Sequence, residues 1–293
     1  MIILKLRPME KLINNDAQLR ALLPNVVETI LGESTLFSKL SPFLTSAQIW
    51  LEEYVTGHDD LPEPERWRHL SEAVVARRAF ADAVPSLDLV LTPNGFGVVS
   101  TSETAPASKE RVERLIASLR SAIDRDVDLL FRTLADIPDW RVTRPGRYAF
   151  RTMVHFPSDV SRWHRSDDIM ETYRKIIDLA AAFESSASLH YLGTPLMLLM
   201  VGFNHSGNED LDSLDSERMA LWPLLRDAES RWLDIHSRDQ RIKCPDGHEL
   251  WHLLEPVVAK IKQLPHIHDE YWYPIAGNKL DSFKNDIPGA YFF

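Results

Sequence analysis

The sequence predicts a mainly α protein: helical bundles carrying one β-hairpin at about residues 87–100 and an extended aromatic C-terminal tail. Three observations predict it. Apolar residues recur at spacings of three and four over most of the chain, the signature of helices with one buried face. The stretch LDLVLTPNGFGVVS, residues 87–100, instead alternates, turns through Pro93-Asn94-Gly95 and returns as a second apolar run. The chain then ends PGAYFF, with Tyr291, Phe292 and Phe293 in succession.

Taken in order, SPFLTSAQIWLEEYVTG places Pro42 where a first helical turn tolerates it and Gly57 where a helix ends. Phe43, Ala47, Trp50, Leu51 and Tyr54 fall on one side of that helix. A second helix is expected from about Glu65 to Val84, with Trp67, Leu70, Val74, Ala81 and Val84 apolar. The short connector HDDLPEPE predicts that the two form an antiparallel pair. In the hairpin that follows, Asn94-Gly95 supplies the positive φ angles a tight turn requires, and Gly97 relieves the return strand.

Ser108 is a suitable N-cap for a long helix to about Asp136, with Val112, Leu115, Ile116, Leu119, Ile123, Val127, Leu130 and Leu134 on one stripe. Trp140 to Gly146 reads as a turn-rich break, and Arg147 to Phe156 as an extended segment. Helices then follow at about 167–184, 215–236 and 251–264, with a buried stretch at 187–201. The expected organisation is a helical domain over residues 1–140, containing the hairpin and long helix, and a second helical region over 141–293.

At 293 residues and 44% hydrophobic, the chain can bury a sizeable core. Its formal charge of −10 argues against a nucleic-acid-binding surface spread over the whole molecule. A single cysteine, Cys244, precludes an intramolecular disulfide and fits assembly in a reducing compartment. The N-terminus lacks the apolar region of a signal peptide, and the longest apolar stretch, 192–203, is short of the roughly 20 residues that span a bilayer.

The chemistry-bearing clusters are sparse. HIHDEYW gathers His266, His268, Asp269 and Glu270, residue types that suit zinc or iron, but with no distant partner at diagnostic spacing. CPDGH pairs Cys244 with His248 inside a turn, which is not how nucleophile and base usually meet. Gly95-Phe96-Gly97 is followed by a polar loop and not directly by a helix, so hairpin geometry explains both glycines without a phosphate. The expectation is therefore no catalytic, cofactor or metal site. Pro93, Asn94, Gly95 and Phe96 of the hairpin and Tyr291, Phe292 and Phe293 of the tail are the candidate subunit-interface residues.

The run LDLVLTPNGFGVVSTSETAPASKERVERL, together with the ending PGAYFF, resembles an uncharacterised family of Bacteroidetes-type phages and prophages. That family looks like the head-tail connector, or adaptor, proteins that ring the portal. The resemblance implies a non-enzymatic virion structural protein at the head-tail neck, assembled in the host bacterial cytoplasm. Implied partners are further copies of itself in a homo-oligomeric ring, the portal protein, and tail or neck proteins; DNA would pass nearby without specific binding, and no membrane is involved. The alternative is a soluble cytoplasmic α-helical enzyme or small-molecule-binding protein with a pocket between its helical halves, using residues such as His155, His190 or His266.

Overall fold

The structure is a computed structural model. It describes residues 11–23, 34–57, 61–87, 108–163, 168–201, 213–238, 245 and 247–273, and the backbone of 89–92 and 95–98. It is mainly α. The chain divides into two compact units: residues 1–149 with 155–173, and residues 150–154 with 174–293. The expected boundary after residue 140 thus gives way to a later, interleaved one. Trp140 explains why 138–149 belong to the first unit: it is fully buried there, its indole N–H donating 2.7 Å to the Val55 carbonyl.

In the first unit, α1 (Asp16–Leu22) is capped by Asn15, whose side chain accepts the Gln18 N–H at 2.9 Å. Helix α2 (Leu36–Leu51) begins earlier than Pro42 suggests, because the Thr35 hydroxyl caps the Ser38 N–H at 3.2 Å; Pro42 lies inside the helix. Its buried face is Leu40, Leu44, Ala47 and Leu51, while Phe43, Trp50 and Tyr54 sit half-buried at the rim. A π-helical turn, Glu52–Thr56, extends α2 and is closed by the Gly57 N–H on the Glu52 carbonyl, 2.9 Å. Gly57 has φ +86°, and a Cβ there would stand 3.1 Å from Thr143 Cβ. Glycine is required at this position twice over, by backbone and by space.

Helix α3 (Pro64–Leu87) packs against α2 and α4 through small residues, Ser71, Ala73, Ala76, Ala79 and Ala83, which let the helix axes approach closely. Arg78 of α3 lies over the Trp50 ring, 3.9 Å from its centroid, and donates to Asp168 at 3.1 Å. Backbone segments β1 (Leu89–Thr92) and β2 (Gly95–Val98) form an antiparallel ladder with Leu89 opposite Val98 and Thr92 opposite Gly95. The turn residues 93 and 94, and the side chains of both segments, lie outside the described residues.

Helix α4 (Lys109–Ala135) follows the spacing read from the sequence, from Ser108 to Asp136. The Ser108 side chain makes no cap hydrogen bond; its carbonyl accepts from Arg111 and Val112. Leu119, Ile123, Val127, Leu130, Phe131 and Leu134 are buried, but Val112, Leu115 and Ile116 of the same stripe are not. Two short helices follow, α5 (Pro138–Arg141) and α6 (Arg144–Ala149). The expected extended segment at 147–156 is thereby corrected. Its first residues are helical because the Thr143 hydroxyl, which itself donates to the Trp140 carbonyl, accepts the Gly146 N–H and opens α6. Phe131 meets Trp140 and Tyr173 edge-on, at 5.6 and 5.5 Å, around the deepest part of this core. A 3-10 turn, Pro157–Trp163, completes the unit.

The division between units falls within α7 (Ile169–Ala187). In the second unit a π-helical turn, Ser188–Leu192, repeats the device seen after α2: the Gly193 N–H closes onto Ser188 at 2.9 Å, with φ +81°. Then come α8 (Thr194–Val201), α9 (Ser213–His236) and α10 (Gly247–Ile261). The segment HIHDEYW is largely a π-helical turn, Ile267–Tyr271, anchored by the Trp272 indole N–H on the Tyr191 carbonyl at 2.9 Å. Helices α9 and α10 pack together and are tied by His236 and Glu249 at 2.9 Å. Among the described residues no helix is long and apolar enough to cross a membrane.

Candidate functional site

Of the interface residues picked from sequence, Gly95 and Phe96 lie on β2, their backbones opposite Thr92 and Leu91. Pro93, Asn94, Tyr291, Phe292 and Phe293 lie outside the described residues. What the structure adds is the state of the helix that follows the ladder. Residues 109–118 of α4 are exposed or half-buried throughout, with Leu115 36% exposed, whereas every apolar stripe position from Leu119 onward is buried. At 1.5 Å per residue this is about 15 Å of helix whose apolar stripe continues past its own core.

The histidines separate by environment. His155 is buried; its backbone N–H goes to Asp159 and its carbonyl accepts the Tyr173 hydroxyl at 2.5 Å, so it is a core residue. His248 and His252 stack edge-on along α10, 5.1 Å apart. His268 pairs with its neighbour Asp269 at 2.6 Å, on the surface. Among the described residues no group of three His, Cys, Asp or Glu side chains is placed to hold a metal ion. Cys244 lies outside the described residues.

His266 is different. Its Nδ1 stands 2.9 Å from Oε1 of Glu217 on α9, and its Nε2 stands 3.2 Å from the hydroxyl of Ser213, one turn earlier on the same helix. Glu217 is nearly buried and also accepts the backbone N–H groups of His266 and Ile267, at 3.2 and 2.8 Å. Burial pushes its carboxyl up, but the Ile267 N–H and the His266 ring and N–H outweigh it, so the group titrates below the usual glutamate range. An ionised carboxylate accepts only, so His266 Nδ1 carries a proton toward it, and in the neutral imidazole Nε2 is then the acceptor facing Ser213. Sequence reasoning grouped His266 with its neighbours in HIHDEYW; its actual partners are 49 and 53 residues away. The four-residue spacing of Ser213 and Glu217 at a helix start was the available signal.

A second polar cluster lies deep in the same unit. Glu184 of α7 and Glu229 of α9 are both buried, 5% and 0% exposed, and close enough for the charge of one to act on the other. Arg226 pairs with Glu229, and the Met153 N–H donates to Glu184 at 2.7 Å. Burial and the Glu229 charge hold Glu184 well above the ordinary glutamate value, against the opposing pull of the Met153 N–H and Arg226. It is a structural element of the core, closed off by Trp232 packing on Phe183.

Residues 27–149 match a family of unknown function, DUF6712. The match spans the α2–α3 pair, the β1–β2 ladder and α4 through α6, and stops where the first unit's continuous segment ends. No curated protein and no solved structure matches the chain.

Proposed function

We propose that this protein is a phage virion structural protein, a head-tail connector or adaptor that forms a ring between portal and tail. The single observation that carries the reading is the open N-terminal third of α4. A helix that leaves Leu115 exposed and Val112 and Ile116 half-buried in line with its own core stripe offers a surface for another helix, and a second copy of the chain supplies one. In a ring the contact is heterologous: one patch on each subunit meets a different patch on the next. The β1–β2 hairpin, directly before α4, reaches the adjacent subunit in this reading, and the aromatic tail anchors there. Further support is the resemblance of LTPNGFGVVS, APASKERV and PGAYFF to a phage family, and a net charge of −10, which suits a channel along which DNA slides without sticking.

The test is light scattering with size-exclusion chromatography, on the chain alone and mixed with the portal protein encoded near it. A ring, or a stoichiometric complex with the portal, is expected. A monomer indifferent to both portal and tail proteins contradicts the reading.

A further inference from the structure

We propose that Ser213, His266 and Glu217 form an acyl-transfer site that hydrolyses small carboxylic esters, an activity independent of ring formation. The three side chains form an ordered chain of hydrogen bonds: hydroxyl to imidazole Nε2 at 3.2 Å, imidazole Nδ1 to carboxylate at 2.9 Å. That is the order of nucleophile, base and orienting acid in serine hydrolases, which is recognised by geometry and roles and not by position in the chain.

Each group has the state its role requires. Glu217 is held by two backbone N–H donors besides the ring, so its carboxylate does not swing away. The imidazole is fixed in the tautomer whose Nε2 accepts the serine proton. Ser213 is the first residue of α9, a helix of 24 residues that also carries Glu217, so nucleophile and orienting acid are held by one rigid element. The His266 side chain is 44% exposed and Ser213 is exposed. The substrate class is short acyl groups on good leaving groups, which react without an enclosing pocket.

The step balances. Ser213 Oγ bonds to the ester carbonyl carbon while its proton passes to His266 Nε2; the carbon-oxygen bond to the leaving alcohol breaks and takes that proton. Water, deprotonated by the same nitrogen, then cleaves the acyl-serine, releasing the carboxylic acid and restoring Ser213. Glu217 stabilises the imidazolium in both halves and is not itself protonated.

The test measures hydrolysis of 4-nitrophenyl acetate by the full chain and its Ser213→Ala, Glu217→Gln and His268→Ala variants, with labelling by a fluorophosphonate probe followed by peptide mass spectrometry. The proposal expects label on Ser213, at least a tenfold loss of rate in Ser213→Ala, and an unchanged rate in His268→Ala, a neighbouring surface imidazole outside the site. It expects Glu217→Gln to lose rate and shift the pH profile. The proposal is overturned if Ser213→Ala retains the rate, if His268→Ala loses as much, or if the wild-type chain takes no label at Ser213. The labelling arm decides the matter even where a variant fails to fold.

Discussion

Glu184 and Glu229 lie buried in the core of the second unit, 5% and 0% exposed, the charge of Glu229 pressing on Glu184 while Arg226 pairs with Glu229. With Arg226 paired to Glu229, the three groups are neutral overall only while Glu184 holds its proton. Because the folded value of Glu184 is raised above the unfolded one, the folded chain binds more protons than the unfolded chain between those two values. Stability is full below the ordinary glutamate range and is lost as pH rises through the raised value.

Glu184→Gln tests this. The amide keeps the acceptor for the Met153 N–H and cannot ionise beside the Glu229 charge. Thermal melts from pH 5 to pH 9 are expected to show the variant level with wild type at the acid end and progressively above it toward the alkaline end. Parallel melting curves for the two proteins would show that Glu184 is not held protonated in this core.

Trp140→Phe removes the donor to the Val55 carbonyl and leaves that buried acceptor without the indole. The expected cost is about 1–3 kcal/mol, the range for a buried polar group that loses its partner, measured by urea denaturation followed through far-UV circular dichroism. A change within experimental error would mean that α5 is held by apolar contact alone.

Gly57→Ala forces a side chain into a backbone conformation at φ +86° with its Cβ 3.1 Å from Thr143. A loss of about 1–3 kcal/mol is expected from the backbone strain, again by denaturant unfolding. Stability at or above wild type would show that the turn relaxes to negative φ.

Leu115→Asp places a charge on the open stripe of α4, where the side chain is already 36% exposed. The isolated protomer is expected to keep its stability within about 0.5 kcal/mol, while subunit association weakens at least about tenfold. Deleting residues 287–293 is expected to act in the same sense, lowering assembly more than the melting temperature. If the truncated chain simply unfolds, the tail is part of its own core.

What the sequence made legible was local. The α4 stripe from Leu119 to Leu134 and the end of the π-turn at Gly57 follow from spacing and backbone chemistry that need no partner. The start of α2 was displaced because Pro42 is a weaker signal than the Thr35 cap. The helix at Arg144–Ala149 was read as extended because its stability comes from Thr143 and Trp140, contacts that periodicity does not encode. The Ser213, His266 and Glu217 constellation and the Glu184–Glu229 pair were illegible for the same reason. Each joins residues tens of positions apart, which only the packing of α9 against other segments brings together. The half-covered end of α4 was hidden differently: sequence shows an apolar stripe but not how deeply each position along it is buried.

The most direct measurement of the central claim is the protein content of purified phage particles, by quantitative mass spectrometry and cryo-electron microscopy of the neck. The ring reading predicts the chain in a fixed ratio to the portal, as a ring of helical subunits between portal and tail with the α4 stripe at the subunit contact. Particles that are complete and infectious but contain none of the chain would contradict it.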